Sequence, residues 1–230
     1  MYDRENVMAL PGAYAAEQSF VIRVFLWMFA GLAVTGGVAL VFSATPALLA
    51  IVAKAYIFIL LAELGLVIAI GALIRRISTP MAAGMFVLYS AMTGATMSVL
   101  FLVFTAESLI TTFAVTSLTF AAMALYGYTT KRDLTAIGSL CLMALLGVII
   151  VSIVNWFLRS DLVSWIVTFV GIAVFVGLIA YDTQKIKRMA AHFAENSEGA
   201  GKYAVLAALA VYLDFINLFL LLLRLFGRRK

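Results

Sequence analysis

Apolar stretches long enough to cross a membrane occupy most of this sequence of 230 residues. A helix of about 20 apolar residues spans the hydrocarbon core of a bilayer, and short polar connectors separate seven such stretches here. The predicted spans cover about residues 20–43, 47–74, 80–104, 108–128, 135–157, 162–182 and 203–226. Charged residues make up only 12% of the chain, against about 25% in a soluble domain. The sequence therefore predicts an all-α integral membrane protein.

The division of the chain into domains follows from these spans. Residues 1–19 are predicted to form a polar N-terminal leader, and residues 20–230 a single seven-helix transmembrane domain. The first apolar run is too long for the core of a signal peptide, so we expect it to remain as the first span.

Two threonine-proline pairs indicate where helices begin. Thr45 precedes Pro46 and Thr79 precedes Pro80. Proline is common at the first helical position, and threonine is a good N-cap residue. We therefore expect Thr45 and Thr79 to cap the second and third helices.

Lys and Arg residues are distributed unevenly among the connectors, and this bias predicts the orientation. One set of alternate connectors, with the leader and the start of the first span, contains ten: Arg4, Arg23, Arg75, Arg76, Lys131, Arg132, Lys185, Lys187, Arg188 and Lys202. The other connectors contain two, Lys54 and Arg159. Because basic connectors face the cytoplasm, the N-terminus is predicted to be cytoplasmic. The basic tail, with Arg224, would face outward if the seventh span crosses completely, so a re-entrant seventh span stays open as an alternative.

Several classes of function are excluded by composition. The single Cys141 excludes an intrachain disulfide and a cysteine metal cluster, and one histidine cannot build a histidine metal site. The basic residues lie at span ends without interleaved aromatics, which indicates lipid headgroups rather than nucleic acid. The sequence contains no phosphate-binding loop and no catalytic motif, so we predict neither an enzyme nor a bound cofactor.

Three carboxylates, Glu63, Asp182 and Asp214, fall inside or at the end of predicted spans. Charges within a membrane normally face a bundle interior or a water-filled cavity. Asp182 and Asp214 are equidistant from the turn "NSEGAG" at residues 196–201, so an antiparallel hairpin places them at the same height, roughly 24 Å from its tip. Both also lie on an apolar stripe of their helix. The two carboxyl groups are therefore predicted to face each other.

Two carboxyl groups in contact cannot both ionise cheaply in a low-dielectric setting, so the pair is expected to share one proton. The protonated pair would form a neutral latch, and the deprotonated pair would repel or bind a cation such as Ca²⁺. Calcium needs about six to eight oxygen ligands, and Asn217, on the same face as Asp214, is a candidate to add one. Arg75 or Arg76 is expected to pair with Asp182 in one state.

Simpler interpretations exist for two of these carboxylates. Asp182 could be an interfacial residue that pairs only with Lys185. Glu63 could either line a cavity or make a structural hydrogen bond to a neighbouring helix. Asp214 lies too deep in its span for interfacial pairing, and this makes it the stronger functional candidate.

The same residues carry a resemblance to a known family. "GLIAYDTQKIK" followed by "YLDFINLFLLLLRLFG", with "AEL" and "IRR" on the second span, resembles the Bax inhibitor-1 (transmembrane Bax inhibitor motif) family and in particular its bacterial members. The resemblance implies a seven-helix bundle whose C-terminal helix is central. It also implies a pH-sensitive calcium leak, in which Asp182 and Asp214 are the sensor and Arg75 or Arg76 is the latch. Glu63 matches an acidic position on the second helix.

Three functions are compared on this basis. The first is a pH-gated Ca²⁺ leak in the bacterial inner membrane, with lipids, protons and Ca²⁺ as partners. The second is an intramembrane aspartyl protease, which would also place two aspartates on adjacent helices, but such enzymes flank the second aspartate with glycines, whereas this chain has "LYLD". The third is a non-transporting interaction protein that modulates, or is processed by, a membrane quality-control protease.

Overall fold

The computed structural model describes residues 11–195 and 199–230, and within these ranges the chain is almost entirely helical. Seven long helices follow one another: α1 (Pro11–Ala44), α2 (Pro46–Leu73), α3 (Thr79–Met97), α4 (Ala106–Thr129), α5 (Thr135–Leu158), α6 (Asp161–Glu195) and α7 (Ala200–Phe226). A four-residue helical segment, Leu100–Val103, continues α3 after a short turn. All seven, counting this segment with α3, are long and apolar enough to cross a membrane. The predicted all-α class and the seven spans are confirmed.

The N-terminal boundary differs from the prediction. Residues 1–10 of the predicted leader lie outside the described ranges. α1 begins at Pro11, so the helix starts well before residue 20, and its part from Gln18 to Ala44 is long and apolar enough to span a membrane. Proline is well suited to the first turn of a helix because that turn has no use for its missing N–H.

The predicted caps were only partly right. Thr45 occupies the N-cap position of α2, but its hydroxyl donates to the carbonyl of Val41 at 2.9 Å and makes no cap bond to α2. α3 is capped by Ser78, whose Oγ accepts from the Met81 N–H at 3.4 Å, so the prediction for Thr79 was wrong by one residue. The Thr45 hydroxyl bonds to a carbonyl in the last turn of α1, because carbonyls at a helix end have no partner within the helix.

The third span is interrupted near its end, which its hydropathy did not show. The Ser98 hydroxyl is fully buried and donates to the Ala95 carbonyl at 2.6 Å. Serine side chains that bond nearby carbonyls compete with the helical backbone pattern. α3 therefore ends at Met97 and resumes at Leu100.

By packing, the described residues fall into two compact units. The first comprises the described part of Met1–Val103 with Ile186–Tyr212, and the second comprises Phe104–Lys185 with Leu213–Lys230. The helices α6 and α7 each contribute one part to either unit. The prediction of a single domain over residues 20–230 remains a prediction.

In the first unit, α1, α3 and the N-terminal half of α7 meet around Tyr212, whose side chain is fully buried. The Tyr212 hydroxyl lies 2.6 Å from Thr35 Oγ1 on α1. Its ring packs edge-to-face on Phe86 and Tyr89 of α3, with centroids 5.6 and 5.9 Å away. Edge-to-face geometry is the favoured one for aromatic pairs.

In the second unit, the C-terminal half of α7 packs against α4 and α6. Phe215 makes edge-to-face contacts with Phe113 and Phe120 at 5.5 and 5.6 Å, and Leu221 fills the space over Gly171. With 67% of its apolar window buried, α7 is the most enclosed of the seven helices, since the others reach at most 44%. This burial agrees with the prediction that the C-terminal helix is the central one.

The last helix and the tail after it bear on the question of a re-entrant seventh span. α7 runs without a break for 27 residues, about 40 Å at the rise of an α-helix. Beyond it, the Thr105 N–H donates to the Arg228 carbonyl at 3.1 Å and the Arg228 N–H donates to Ser108 Oγ at 3.0 Å. The tail therefore lies beside the connector between α3 and α4, which favours a complete crossing.

Candidate functional site

The strongest candidate site is formed by Asp182 on α6 and Asp214 on α7, both in the second unit. Close packing holds α6 here. Gly127 of α4 lies directly against the Ala180 carbonyl, and Gly138 of α5 lies against the ring of Tyr181. On α7, the residue that follows Asp214 is Phe215, and its ring contacts with α4 hold it in place. Both aspartates thus sit on helix segments whose neighbours leave little room to move.

The two side chains lie close enough for each to act electrostatically on the other. Asp214 is 5% exposed, whereas Asp182 is half-buried. The Oδ2 atom of Asp214 is buried without a hydrogen-bond partner among the described residues. A hydrogen bond between two carboxyl groups requires a proton on one of them. Two carboxyl groups this close are suited to share one proton, and this sharing remains a prediction.

Lys185 is the basic residue that acts on Asp182 by charge. It follows three positions later on α6, on the same side of the helix, and its side chain is exposed. Asp182 thus has both neighbours that the sequence suggested as alternatives: a cation towards solvent and Asp214 towards the interior.

Gln184, which nothing in the sequence marks as a site residue, ties α6 to the connector between α4 and α5. Its side chain is 7% exposed. The Leu134 N–H donates to Gln184 Oε1 at 2.9 Å, and Gln184 Nε2 donates to the Arg132 carbonyl at 2.8 Å. A glutamine next to two lysines looks like a solvated residue in the sequence, and only the position of the connector shows that its amide is used.

Asn217 lies on α7, one turn after Asp214, and is half-buried. Its amide donates to the Leu213 carbonyl at 2.8 Å, which leaves its oxygen as a further acceptor. The described residues contain no group of three or more His, Cys, Asp or Glu side chains that could hold a metal ion. A resident Ca²⁺ needs about six to eight oxygen ligands, so the assignment of Asp182, Asp214 and Asn217 to a cation site remains a prediction.

Glu63 belongs to the first unit, where it is 8% exposed on α2. The Thr96 hydroxyl of α3 lies 3.0 Å from Glu63 Oε1 and is placed to donate to it. Of the two alternatives considered for Glu63, the structure therefore supports a structural hydrogen bond to a neighbouring helix. The buried threonines around it, including Thr93 and Thr96, were not identified from the sequence because threonine is common in membrane helices.

Arg75 and Arg76 lie in the turn after α2, and both are exposed. The Arg75 carbonyl accepts a hydrogen bond from Lys202 Nζ at 3.1 Å. Both arginines belong to the first unit, whereas the aspartate pair belongs to the second. Their role as a latch for Asp182 remains a prediction.

Comparison with known proteins supports the family resemblance found in the sequence. The family described as "Inhibitor of apoptosis-promoting Bax1" matches residues 17–230. The chain is 44% identical over 220 residues to the inner membrane protein YbhL of Escherichia coli K12, covering 94% of each chain. It is 40% identical over 217 residues to an uncharacterized protein of Borreliella burgdorferi, covering 93% of this chain and 94% of the relative. The chain belongs to the Bax inhibitor-1 family.

Proposed function

We propose that the protein is a pH-sensitive calcium leak channel of the bacterial inner membrane, gated by Asp182 and Asp214. The proposal places the N-terminus in the cytoplasm and involves no catalysed reaction and no resident cofactor. The membrane is suggested by seven apolar helices and by the name of a relative, inner membrane protein YbhL.

The observation that carries the proposal is the carboxyl pair inside a membrane-spanning part of the chain. Asp214 is 5% exposed and has one oxygen without a partner among the described residues. Buried carboxylates are costly unless they are protonated or paired with a cation. Such a pair responds to two species only, protons and cations, and a pH-sensitive cation path uses both.

The gating step follows from the charge of the pair. With one shared proton, the pair is held by a hydrogen bond and α6 stays against α7. When the proton leaves at higher pH, two negative charges face each other, and Lys185 at the solvent side compensates only the charge of Asp182. Repulsion then separates the two carboxylates or recruits a Ca²⁺ ion between them. Flux should therefore rise with pH.

The test uses purified protein in liposomes that contain a calcium-sensitive dye, measured from about pH 5 to about pH 9, the interval over which buried carboxyl groups titrate. We expect the Ca²⁺ flux of the unmodified protein to increase with pH. Asp214→Asn cannot lose a proton in this interval, so its flux should no longer depend on pH. Glu107→Gln is the matched control, because Glu107 is an exposed carboxylate in the same unit, and its profile should stay unchanged.

Two outcomes would contradict the proposal. If Asp214→Asn keeps both the flux and its pH profile, the aspartate pair is not the gate. If no variant and no pH gives flux, while a pull-down from mild detergent returns a membrane protease in stoichiometric amount, the protein is an interaction partner rather than a leak.

A further inference from the structure

A cavity at one end of the second unit has no part in the proposed leak. It lies where α5 ends, α6 begins and the last turn of α7 arrives, and its volume is about 410 Å³. The residues that matter for its chemistry are Asn155, Trp156, Arg159, Asp161, Ser164 and Arg224. All of them belong to the second unit.

Two arginines face this cavity without a partner among the described residues. Neither the Arg159 guanidinium nor that of Arg224 makes a hydrogen bond or an ion pair with the part of the chain that the structure describes. An arginine guanidinium has five N–H donors and stays charged. The remaining charged residue, Asp161, leaves the cavity with one net positive charge, which matches a singly charged phosphodiester.

The connector that presents Arg159 is built rigidly and under strain. Asn155 accepts from the Ser160 N–H at 3.0 Å through Oδ1 and donates to Ser164 Oγ at 2.8 Å through Nδ2. Arg159 itself has φ 52°, the left-handed conformation that glycine adopts most easily at helix ends. Keeping an arginine at such a position is unfavourable for the backbone, and such strain often marks a functional residue.

The apolar surface around the cavity favours the phosphate of a lipid headgroup over free phosphate. Trp156 is 74% exposed and Phe157 is 77% exposed, and their rings lie 5.6 Å apart. On α6, Leu162 and Trp165 are 71% and 52% exposed. Exposed tryptophans at the ends of membrane helices lie at the level of the headgroups. A cationic, polar interior beside this apolar rim fits an amphipathic anion.

We propose that this cavity binds the phosphodiester headgroup of an anionic phospholipid. Arg159 and Arg224 hold the phosphate oxygens, Ser164 and Asn155 keep the connector in place, and the acyl chains run along the apolar surface near Trp156 and Phe157. Arginine suits phosphate because its planar group offers two parallel donors. Lipid binding in this cavity does not depend on the aspartate pair or on the proposed Ca²⁺ flux.

Native mass spectrometry of the purified protein with added phosphatidylglycerol tests this site, with phosphatidylcholine and inorganic phosphate as comparison ligands. We expect phosphatidylglycerol to bind in preference to phosphatidylcholine. Each of Arg159→Gln and Arg224→Gln should weaken the phosphatidylglycerol complex by roughly fivefold, and the double variant by on the order of thirtyfold. Arg159→Gly should lose the same affinity while it relieves the backbone strain, so its loss cannot be ascribed to misfolding.

Lys131→Gln with Arg132→Gln is the matched control, since these two residues are exposed in the same unit and in the connector between α4 and α5. This control should retain phosphatidylglycerol. An equal loss in the control and in the cavity variants would mean general attraction to basic residues and would overturn the site. Saturation of the cavity by inorganic phosphate at the concentration that lipid requires would overturn the assignment to a lipid.

Discussion

At the residue scale, whether a glycine in α4 or α5 can be replaced depends on which atoms lie where its Cβ would be. Gly127 lies directly under the backbone carbonyl of Ala180, two positions before Asp182. A side chain there would meet backbone, which cannot rotate out of the way. Gly147 on α5, by contrast, has nothing within 4 Å of where a Cβ would be. The same residue type is thus required at one position and replaceable at the other.

We expect Gly127→Ala to lower the free energy of unfolding by about 1–3 kcal/mol, because the new methyl group forces α4 and α6 apart. Gly147→Ala is the control and should raise it by up to about 1 kcal/mol through helix propensity. Thermal unfolding in detergent compares the two variants with the unmodified protein. Equal melting temperatures for the two variants would show that α4 and α6 are not in tight contact at this point.

At the element scale, Gln184 connects the segment of α6 that carries Asp182 to the start of α5. Leu134, which donates one of the hydrogen bonds to this amide, is 2% exposed, so the connector is anchored by a buried side chain as well as by the amide. A shift of α6 at the aspartate pair would therefore move the connector with it. The amide places Gln184 as a positioning residue for this end of the second unit.

Gln184→Leu should release this connector. The Leu134 N–H loses its acceptor, so we expect its hydrogen exchange to become about tenfold faster, in line with the loss of one buried hydrogen bond. Hydrogen-exchange mass spectrometry on the peptide that contains residues 130–136 measures the change. Gln18→Leu, the same substitution at an exposed site, should leave that peptide unaffected, and an unaltered exchange rate in Gln184→Leu would refute the anchoring role.

At the scale of the whole molecule, the described residues form seven helices long and apolar enough to cross a membrane, and we expect seven complete crossings to place the two chain ends on opposite sides. The continuity of α7 and the hydrogen bonds of the tail to Thr105 and Ser108 support a complete last crossing. The three basic residues that end the chain lie at the same end of the second unit as the start of α4. Hydrogen bonds hold the tail beside Thr105 and Ser108. The position of the tail therefore does not have to follow from its positive charge.

Reporter fusions test this arrangement. Alkaline phosphatase, which is active only outside the cytoplasm, should be active when fused after Lys230 or inserted at Thr105. A fusion in the connector at Lys131 should be inactive, whereas green fluorescent protein should fluoresce there. Inactive phosphatase at Lys230 together with active phosphatase at Thr105 would contradict the complete crossing of α7.

Much of the aspartate pair was predictable because the rise of an α-helix is constant. Two residues equidistant from a turn stand at the same height on an antiparallel hairpin, and this spacing together with the apolar stripe of each helix predicted that Asp182 and Asp214 face each other. Residues 196–198 of the turn itself lie outside the described ranges. The depth of Asp214 in an apolar span likewise followed from its position along the chain.

Other features could not be predicted, because they depend on how helices are rotated and placed beside one another. The bond of Thr96 to Glu63 and the anchoring by Gln184 join residues at least 33 positions apart. No regular rise relates such positions, and threonine and glutamine carry no charge that would mark them as buried. The break of α3 at Ser98 was missed because hydropathy does not report a hydrogen bond between a hydroxyl and its own helix.

The sequence by itself determined that this chain has seven membrane-spanning helices, and it brought two aspartates to one level, because hydropathy and helical rise are local properties. Only the tertiary structure decided that Arg159 and Arg224 share a cavity without a partner among the described residues and that Gly127 must remain a glycine. Those facts arise where separate helices meet, and the free energy of such contacts depends on side-chain packing in three dimensions rather than on the order of residues.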